Sequence, residues 1–223
     1  MSDSIREQVI DRLVSNRVFK SNEVIRAMKT VPREAFVPDN LRNDAYYDTP
    51  LPIGYRQTIS AIHMVGIMAE TMELQAGHKV LEIGSGSGYH AAVVAEIVSP
   101  KGSEIKGHVY TVEIISELAN FAKRNLAQTG YLDRVTVIND DGSKGYPKYA
   151  PYDRIQVTAS APRIPKPLIS QLKVGGLLVI PVGNLSFGQS LLRIRKTSEK
   201  DEVRENLGGV AFVPLVGEHG WNI

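Results

Sequence analysis

The sequence reads Val-Leu-Glu-Ile-Gly-Ser-Gly-Ser-Gly-Tyr over residues 80–89. An apolar strand ends here, and glycine follows at every second position, at Gly84, Gly86 and Gly88. Because glycine lacks a Cβ atom, such a loop can adopt positive φ angles and lets another molecule approach the backbone. The loop leads into a helix, whose N-terminus favours an anionic or polar ligand. The stretch therefore predicts a nucleotide-like cofactor at the end of a buried strand.

The spacing of the glycines indicates which cofactor. A dinucleotide fingerprint requires Gly-x-Gly-x-x-Gly/Ala, and the bulky Tyr89 occupies its third position here. An acid two residues before the first glycine is instead typical of motif I of S-adenosylmethionine-dependent methyltransferases. A nicotinamide or flavin fold, or a purely structural turn, remains the alternative. The candidate cofactor-binding residues of this stretch are Glu82, Gly84, Ser85, Gly86, Ser87 and Gly88.

The composition predicts an ordinary globular enzyme or binding protein. The 223 residues are 43% hydrophobic, and 26 basic against 24 acidic residues give a formal net charge of +2. This balance disfavours a nucleic-acid partner. The absence of cysteine excludes disulfides, thiolate nucleophiles and cysteine-type zinc sites. A polar N-terminus and the lack of about 18 consecutive apolar residues predict a soluble cytoplasmic protein without a membrane partner.

Hydrophobic periodicity predicts an α/β fold with a doubly wound, mostly parallel sheet. N-terminal helices should run from a Ser4-x-x-Glu7 capping box to about Asn16 and again after Ser21, before an irregular segment at 38–58. A further helix is predicted over 61–74, with others near 88–98, 116–129 and 166–173. The predicted strands are 79–83, 108–113, 135–139, 154–158 and 177–182, followed by a partly antiparallel pair at 188–196 and 203–213.

We expect one domain, residues 1–223, in three parts. Residues 1–60 are the helical and irregular segment on the substrate side, residues 61–183 are the cofactor-binding core, and residues 184–223 are the C-terminal strands and tail.

Polar residues follow several predicted strands at the edge where open α/β sheets bind ligands. Glu113 ends the second strand, and its two carboxylate oxygens suit a ribose diol. Asp140, Asp141 and Gly142 follow the third strand, where an acid can accept a hydrogen bond from an exocyclic amine. Small residues at 158–162 follow the fourth. Glu113 could instead be an acid at a helix entry, and the two aspartates could be turn formers.

Several stretches together resemble the protein-L-isoaspartate O-methyltransferases, and the likeness runs from the Val31-Pro-Arg-Glu-x-Phe-Val-Pro38 segment to Leu215. The Thr-Ile-Ser-Ala-x-His-Met segment at 58–64 is the most specific of them. The matching stretches are Gln57–Met64, Val80–Tyr89, Val109–Glu113, Asp140–Gly142, Tyr152–Pro162 and Gln171–Gly183. The resemblance implies a class I, Rossmann-like methyltransferase fold with a C-terminal antiparallel strand addition.

The same resemblance implies methyl transfer from S-adenosyl-L-methionine to the free α-carboxylate of L-isoaspartyl residues, which yields S-adenosyl-L-homocysteine and initiates repair of the damaged protein. It matches Ser60 to the family's active-site serine, residues 84–88 to its methionine-side loop, Glu113 to its ribose acid and Asp141-Gly142 to its adenine contact. Partners should be isoaspartyl peptides and proteins, bound by a monomer. The residues expected beside the substrate are Thr58, Ile59, His63 and Val213.

The implied chemistry agrees with the residues available. A carboxylate with a pKa near roughly 3.5 is ionised at neutral pH, so no general base is required. A serine hydroxyl at residue 60 can orient that carboxylate without an ion pair. Alternatively, Ser60 only caps the helix that follows. The five histidines show no spacing typical of metal ligands, and we expect no metal.

Two other functions remain open from the sequence. The first is an O-methyltransferase that acts on a small molecule with the same cofactor. The second is a non-catalytic binding module that retains the fold.

Overall fold

The computed structural model describes residues 2–184 and 186–222, with the side chains of residues 2 and 3 left out. Six helices and nine strands make up its regular structure, together with four short 3₁₀ segments at 33–36, 39–44, 142–144 and 147–149. The helices are α1 (Ser2–Ser15), α2 (Asn22–Thr30), α3 (Ile62–Thr71), α4 (Tyr89–Val98), α5 (Ser116–Gln128) and α6 (Lys166–Ser170). The strands are β1 (Leu51–Gly54), β2 (Gln57–Ile59), β3 (Lys79–Ile83), β4 (His108–Glu113), β5 (Val135–Asn139), β6 (Tyr152–Val157), β7 (Leu172–Asn184), β8 (Gly188–Lys196) and β9 (Glu202–Val210).

Seven of the strands form one sheet in the order β5-β4-β3-β6-β7-β8-β9. The pairs among the first five strands of that order are parallel, and the β7–β8 and β8–β9 pairs are antiparallel. The predicted fold class is therefore confirmed. Strands β3, β4 and β5 match their predicted bounds, because each is a run that contains β-branched residues; β3 and β4 are largely buried, and β5 is a half-buried edge strand.

The order of strands reverses at β3. From β3 the chain moves outward to β4 and β5, and then returns to place β6 on the other side of β3. Loops after neighbouring strands diverge at such a switch point and leave a crevice at the carboxyl ends of the strands. The crevice predicted from the sequence therefore lies between the loops that follow β3, β4 and β6.

Apolar side chains cover both faces of the sheet. One buried cluster joins Val80 of β3 to the N-terminal helices and α4, and a second contains Leu81 and Ile83 of the same strand. Helix α4 is buried at all ten of its residues. A helix that is enclosed on every side holds its first turn, next to the glycine loop, in a fixed position. Among the described residues, no helix combines the length and apolarity needed to cross a membrane.

The segment at 38–58 was predicted to be irregular, and this prediction was wrong. Strands β1 and β2 pair as an antiparallel hairpin with Gly54 opposite Gln57. Both strands are short, Pro52 interrupts the first, and the turn lacks the Asn-Gly signal typical of hairpins. The expected capping box is also wrong, because α1 already begins at Ser2 and Ser4 lies inside the helix.

The turn of this hairpin is strained. Tyr55 and Arg56 have φ angles of 52° and 58°, a left-handed conformation that glycine or asparagine usually adopts. We expect Arg56→Gly to raise the free energy of unfolding by about 0.5 to 1 kcal/mol, because relief of about 1 to 2 kcal/mol is partly offset by the flexibility of glycine in the unfolded chain.

Urea denaturation of the two proteins measures this difference. Arg12→Gly, at an exposed position of α1, is the control and should lower stability by about 1 kcal/mol. A loss of stability in Arg56→Gly would contradict the account of the turn.

Candidate active site

A cavity of about 310 Å³ opens at the carboxyl ends of β3, β4 and β6. Its walls come from the loops after these strands, from β2 of the hairpin and from the chain that follows β9. The lining is mostly apolar, and Glu113 is its acidic residue. The lining residues are Gln57, Thr58, Ile83, Gly84, Gly86, Val112, Glu113, Ile114, Ile115, Gly142, Thr158, Ala159, Val213, Pro214, Leu215 and Val216.

The glycines of the loop lie in two different environments. Gly84 has a φ angle of +94°, and a Cβ atom there would lie 2.4 Å from Oγ1 of Thr158. That hydroxyl donates a hydrogen bond of 2.7 Å to the carbonyl of Gly84 and so fixes the loop against the end of β6. Gly86 also lines the cavity, whereas Gly88 packs against Leu126 of α5. Gly88 therefore serves helix packing rather than close approach to a ligand.

Glu113 lies where the sequence predicted a ribose-binding acid. Its carboxylate accepts hydrogen bonds of 2.9 Å from the amide of Gly86 and 3.1 Å from that of Ile115. Burial raises the pKa of Glu113, and these backbone amides partly offset the rise. An ionised carboxylate has about four acceptor positions, so about two remain for hydroxyl groups in the cavity.

Glu82 does not line the cavity. It is fully buried in the central strand, where Thr111 donates to its carboxylate at 2.7 Å and the amide nitrogen of Gln156 also donates to it. Complete burial raises the pKa of Glu82 to about 8, although both hydrogen bonds lower it. Ser85 shares a 2.7 Å hydrogen bond with the Thr111 hydroxyl. The geometry of Glu82 therefore indicates that this residue supports the glycine loop through Thr111 and Ser85 and does not contact a ligand directly.

Of the three residues predicted after β5, only Gly142 lines the cavity. Asp140 is exposed and accepts a hydrogen bond from the amide of Asp141. The Asp141 carboxylate accepts from the amide and hydroxyl of Ser143 and from the amide of Glu218 in the tail. Burial opposes ionisation of Asp141, but these hydrogen bonds prevail and lower its pKa. Asp141 thus fastens the C-terminal tail beside the cavity.

A second cavity of about 560 Å³ adjoins the first. It contains Ser60, His63 and Val213, three of the residues expected near the substrate, and Thr58 as a fourth. Ile59 lies outside its lining and is buried where β2 pairs with β1. The residues that line the second cavity are Pro50, Thr58, Ser60, Ala61, His63, Met64, Thr158, Gly188, Gln189, Gly209, Val210, Ala211, Phe212 and Val213.

The two cavities share three residues, namely Thr58, Thr158 and Val213. Val213 is held at the end of β6 because its carbonyl accepts a 2.7 Å hydrogen bond from the amide of Ser160. A ligand in the first cavity and a ligand in the second would therefore meet at these residues, beside Ser60.

Ser60 does not cap α3, so that interpretation of the sequence is wrong. The N-cap of α3 is Ala61, and Asp48 from the preceding loop accepts a 2.9 Å hydrogen bond from the amide of His63 in the first turn. Within the described part of the chain, no hydrogen bond engages the Ser60 hydroxyl, which leaves it available to a ligand in the second cavity.

Asp48 also orients a histidine. The carboxylate oxygen that accepts from the His63 amide lies 2.9 Å from Nδ1 of the same ring. The ring is thereby fixed by its Nδ1 side, and Nε2 is the nitrogen left for a ligand. Asp48 was not predicted as a site residue, and Thr158 was predicted only as one of the small residues after the fourth strand, because their roles depend on contacts with residues distant in sequence.

Two variants test the double role of Asp48. Asparagine retains an oxygen that caps a helix, whereas alanine does not, so we expect Asp48→Ala to lower the free energy of unfolding by about 1 kcal/mol and Asp48→Asn by much less. Asp48→Ala should lower kcat/KM for the expected peptide substrate by about tenfold, because it also frees Nδ1 of His63, whereas Asp48→Asn keeps the oxygen beside Nδ1 and should lose less. Urea denaturation and steady-state kinetics measure the two effects. Equal stability losses in both variants would contradict the capping role.

Among the described residues, no group of three histidine, aspartate or glutamate side chains is arranged to hold a metal ion. The expectation that the site needs no metal stays a prediction.

The comparisons with known proteins agree on one family. The family model described as protein-L-isoaspartate(D-aspartate) O-methyltransferase matches residues 4–220. A protein-L-isoaspartate O-methyltransferase of Staphylothermus marinus is 57% identical over 97% of this chain and 96% of its own length. One from Hyperthermus butylicus is also 57% identical, over 97% of this chain and 90% of its own.

Solved structures agree in fold. A protein-L-isoaspartate O-methyltransferase structure aligns with a TM-score of 0.84 and 30% identity, over 96% of this chain and 67% of the other. A putative protein-L-isoaspartate O-methyltransferase from Plasmodium falciparum, in complex with S-adenosyl-L-homocysteine, aligns with a TM-score of 0.82 over 95% of this chain and 98% of the other. At 24% identity, this second likeness supports the fold alone.

Proposed function

We propose that this chain, which belongs to the protein-L-isoaspartate(D-aspartate) O-methyltransferase family, transfers the methyl group of S-adenosyl-L-methionine to the free α-carboxylate of L-isoaspartyl residues in damaged peptides and proteins. The products are a methyl ester and S-adenosyl-L-homocysteine. The ester cyclises to a succinimide that can reopen to normal aspartate. The reaction is therefore the first step in repair of the damaged protein.

The first cavity supplies groups suited to each part of the cofactor. Its volume of about 310 Å³ is typical of a small-molecule site. The free acceptor positions of Glu113 suit the two ribose hydroxyls, and a flat base could lie against Ile83, Val112 and Gly142, which line the same cavity. The loop at 84–87 would hold the methionine end.

The observation that carries the proposal is the position of Ser60. Ser60 lines the second cavity together with Thr58 and Thr158, which line both cavities. A peptide carboxylate that accepts a hydrogen bond from Ser60 would lie at the junction, and the backbone of the peptide would extend over the second cavity. The second cavity, at about 560 Å³, is large enough for residues on either side of the damaged one.

The chemistry requires position rather than a base. When bound, S-adenosyl-L-methionine supplies an electrophilic methyl carbon on a sulfonium that leaves as a neutral thioether. An already ionised carboxylate needs no proton removed, and correct alignment of reacting groups can lower a barrier by about 7 to 11 kcal/mol. Ser60 holds one carboxylate oxygen by a neutral hydrogen bond, and His63 offers Nε2 to the peptide. The apolar walls, among them Val213, exclude water from the junction.

A paired-peptide assay tests the proposed function. The purified chain is incubated with methyl-labelled S-adenosyl-L-methionine and either an L-isoaspartyl peptide or its normal aspartyl isomer. Label should enter the first peptide as a base-labile ester and not the second. Transfer to neither peptide, or to both equally, would contradict the proposal, and transfer to a small carboxylic acid alone would favour a small-molecule O-methyltransferase.

The remaining expectations extend this proposal. We propose that the chain acts in the cytoplasm as a single-domain monomer, without a metal and without a nucleic-acid or membrane partner. The near balance of 26 basic and 24 acidic residues supports the absence of a polyanionic partner. Sedimentation of the purified chain tests the monomer.

A further inference from the structure

His90, the second residue of α4, has a buried ring nitrogen without a partner. Its side chain is 7% exposed, and no hydrogen-bonding group within the described part of the chain reaches Nε2. A buried polar atom without a hydrogen bond costs about 1 to 3 kcal/mol, so such atoms usually have a partner, which can be a ligand. His90 has no place in the site assembled above.

The ring lines a third, small cavity of about 40 Å³. This cavity adjoins the first cavity at the glycine loop, because the two share Thr58, Gly84, Gly86 and Thr158, and Ser60 also lines it. The volume exceeds the minimum for one water and suits a single small polar group rather than a ring. The end of a molecule that occupies the first cavity can therefore reach His90.

The electrostatics of this small cavity favour an anion. Helix α4 begins at Tyr89 and runs for ten residues, so the positive end of its dipole and its free amide groups lie at the His90 end. Burial lowers the pKa of His90 to about 3, so the ring is neutral at pH 7 and carries one N–H group. A neutral N–H donor beside a helix N-terminus can bind a carboxylate without an ion pair.

We propose that Nε2–H of His90 donates a hydrogen bond to the carboxylate of the methionine end of S-adenosyl-L-methionine. The inference rests on the cofactor named in the proposed function and adds a residue that recognises the amino-acid part of that cofactor. It also explains why a polar ring is retained in a helix that is otherwise enclosed on all sides. His90 would then separate the cofactor from analogues that lack the carboxylate.

The test compares two ligands that differ only in that group, S-adenosyl-L-methionine and its decarboxylated analogue. Isothermal titration calorimetry measures the affinity of both for the wild-type chain, for His90→Leu and for the control His108→Leu. His108 begins β4, at the opposite end of the sheet from the cavity. We expect His90→Leu to lose about tenfold in affinity for S-adenosyl-L-methionine and less than twofold for the analogue, and His108→Leu to retain the wild-type ratio. Equal losses for both ligands in His90→Leu, or no loss for either, would overturn the inference.

A spectroscopic measurement on the wild-type chain covers the case in which His90→Leu does not fold. In a chain labelled with ¹⁵N at histidine, a slowly exchanging Nε2–H signal should appear when S-adenosyl-L-methionine binds and should be absent with the decarboxylated analogue. The same signal with both ligands would overturn the inference. Both measurements use binding alone, so they are independent of the peptide assay. If the chain discriminates between the two ligands but methylates no isoaspartyl peptide, the proposed substrate is contradicted and the proposed contact of His90 with the carboxylate stands.

Discussion

Ser60→Ala is expected to lower kcat for methylation of an isoaspartyl peptide by about 100-fold or more and to change the affinity for S-adenosyl-L-homocysteine by less than about twofold. A misplaced reacting group costs about this factor, and the variant removes the hydroxyl that orients the carboxylate. The affinity for the cofactor should change little, because most of the cofactor would bind in the first cavity, whose lining does not include Ser60, and Ser60 contributes only to the lining of the small cavity beside His90. Single-turnover kinetics and calorimetry measure the two quantities.

The stability of the same variant distinguishes positioning from capping. Loss of an N-cap hydroxyl lowers the free energy of unfolding by about 1 kcal/mol. Because α3 is capped by Asp48, the free energy of unfolding of Ser60→Ala should lie within about 0.5 kcal/mol of the wild-type value. Ser116→Ala, at the exposed start of α5, is the matched control and should keep full activity. Wild-type turnover in Ser60→Ala, or a loss of stability with unchanged turnover, would remove the serine from the site.

Gly84→Ala is expected to weaken binding of S-adenosyl-L-homocysteine by about 100-fold and to lower the free energy of unfolding by about 2 to 3 kcal/mol. Two effects add at this position. The φ angle of +94° strains any residue with a Cβ atom, and the new methyl group would lie 2.4 Å from Oγ1 of Thr158. To relieve that contact the loop must move, and the hydrogen bond from Thr158 to the Gly84 carbonyl is lost.

Gly130→Ala separates the strain from the contact. Gly130 has a φ angle of +75°, but no heavy atom lies within 4 Å of an added Cβ atom there. In this control, backbone strain alone should lower the free energy of unfolding by about 1 kcal/mol, and the affinity for S-adenosyl-L-homocysteine should equal that of the wild type. Calorimetry and urea denaturation of both variants check the difference. Equal behaviour of the two variants would show that the glycine loop does not shape the cavity.

The sequence predicted the sheet well because local pattern and burial agree there. The bounds of β3, β4 and β5 match the predicted ones: β3 and β4 are largely buried, and β5 is a half-buried strand at the edge of the sheet. Gly84, Gly86 and Glu113 line the cavity at the predicted edge, because the carboxyl ends of neighbouring parallel strands share one edge of the sheet, and their contact with a cofactor stays a prediction. The position of these residues therefore follows from the parallel topology of the sheet.

The side-chain contacts between distant segments were not predictable in the same way. The side chain that caps α3 is Asp48, which lies well before the first residue of the helix, Ile62, in the sequence. The serine immediately before the helix, Ser60, therefore suggested the wrong cap. The carboxylate of Asp141 accepts a hydrogen bond from the amide of Glu218, which lies 77 residues away in the sequence. For Glu82 the pattern itself held the answer, because a side chain within an inner strand projects onto a covered face of the sheet, here beside its register partners Thr111 and Gln156, and not past the end of the strand.

A structure of the chain with S-adenosyl-L-homocysteine and an L-isoaspartyl peptide would test most directly whether the two cavities bring donor and acceptor together. We expect the thioether sulfur in the first cavity, the peptide over the second, and the free α-carboxylate within hydrogen-bond distance of the Ser60 hydroxyl, with one oxygen directed at the sulfur. A peptide whose α-carboxylate lies away from Ser60, or a cofactor product bound outside the cavity that Glu113 and Gly142 line, would contradict the account.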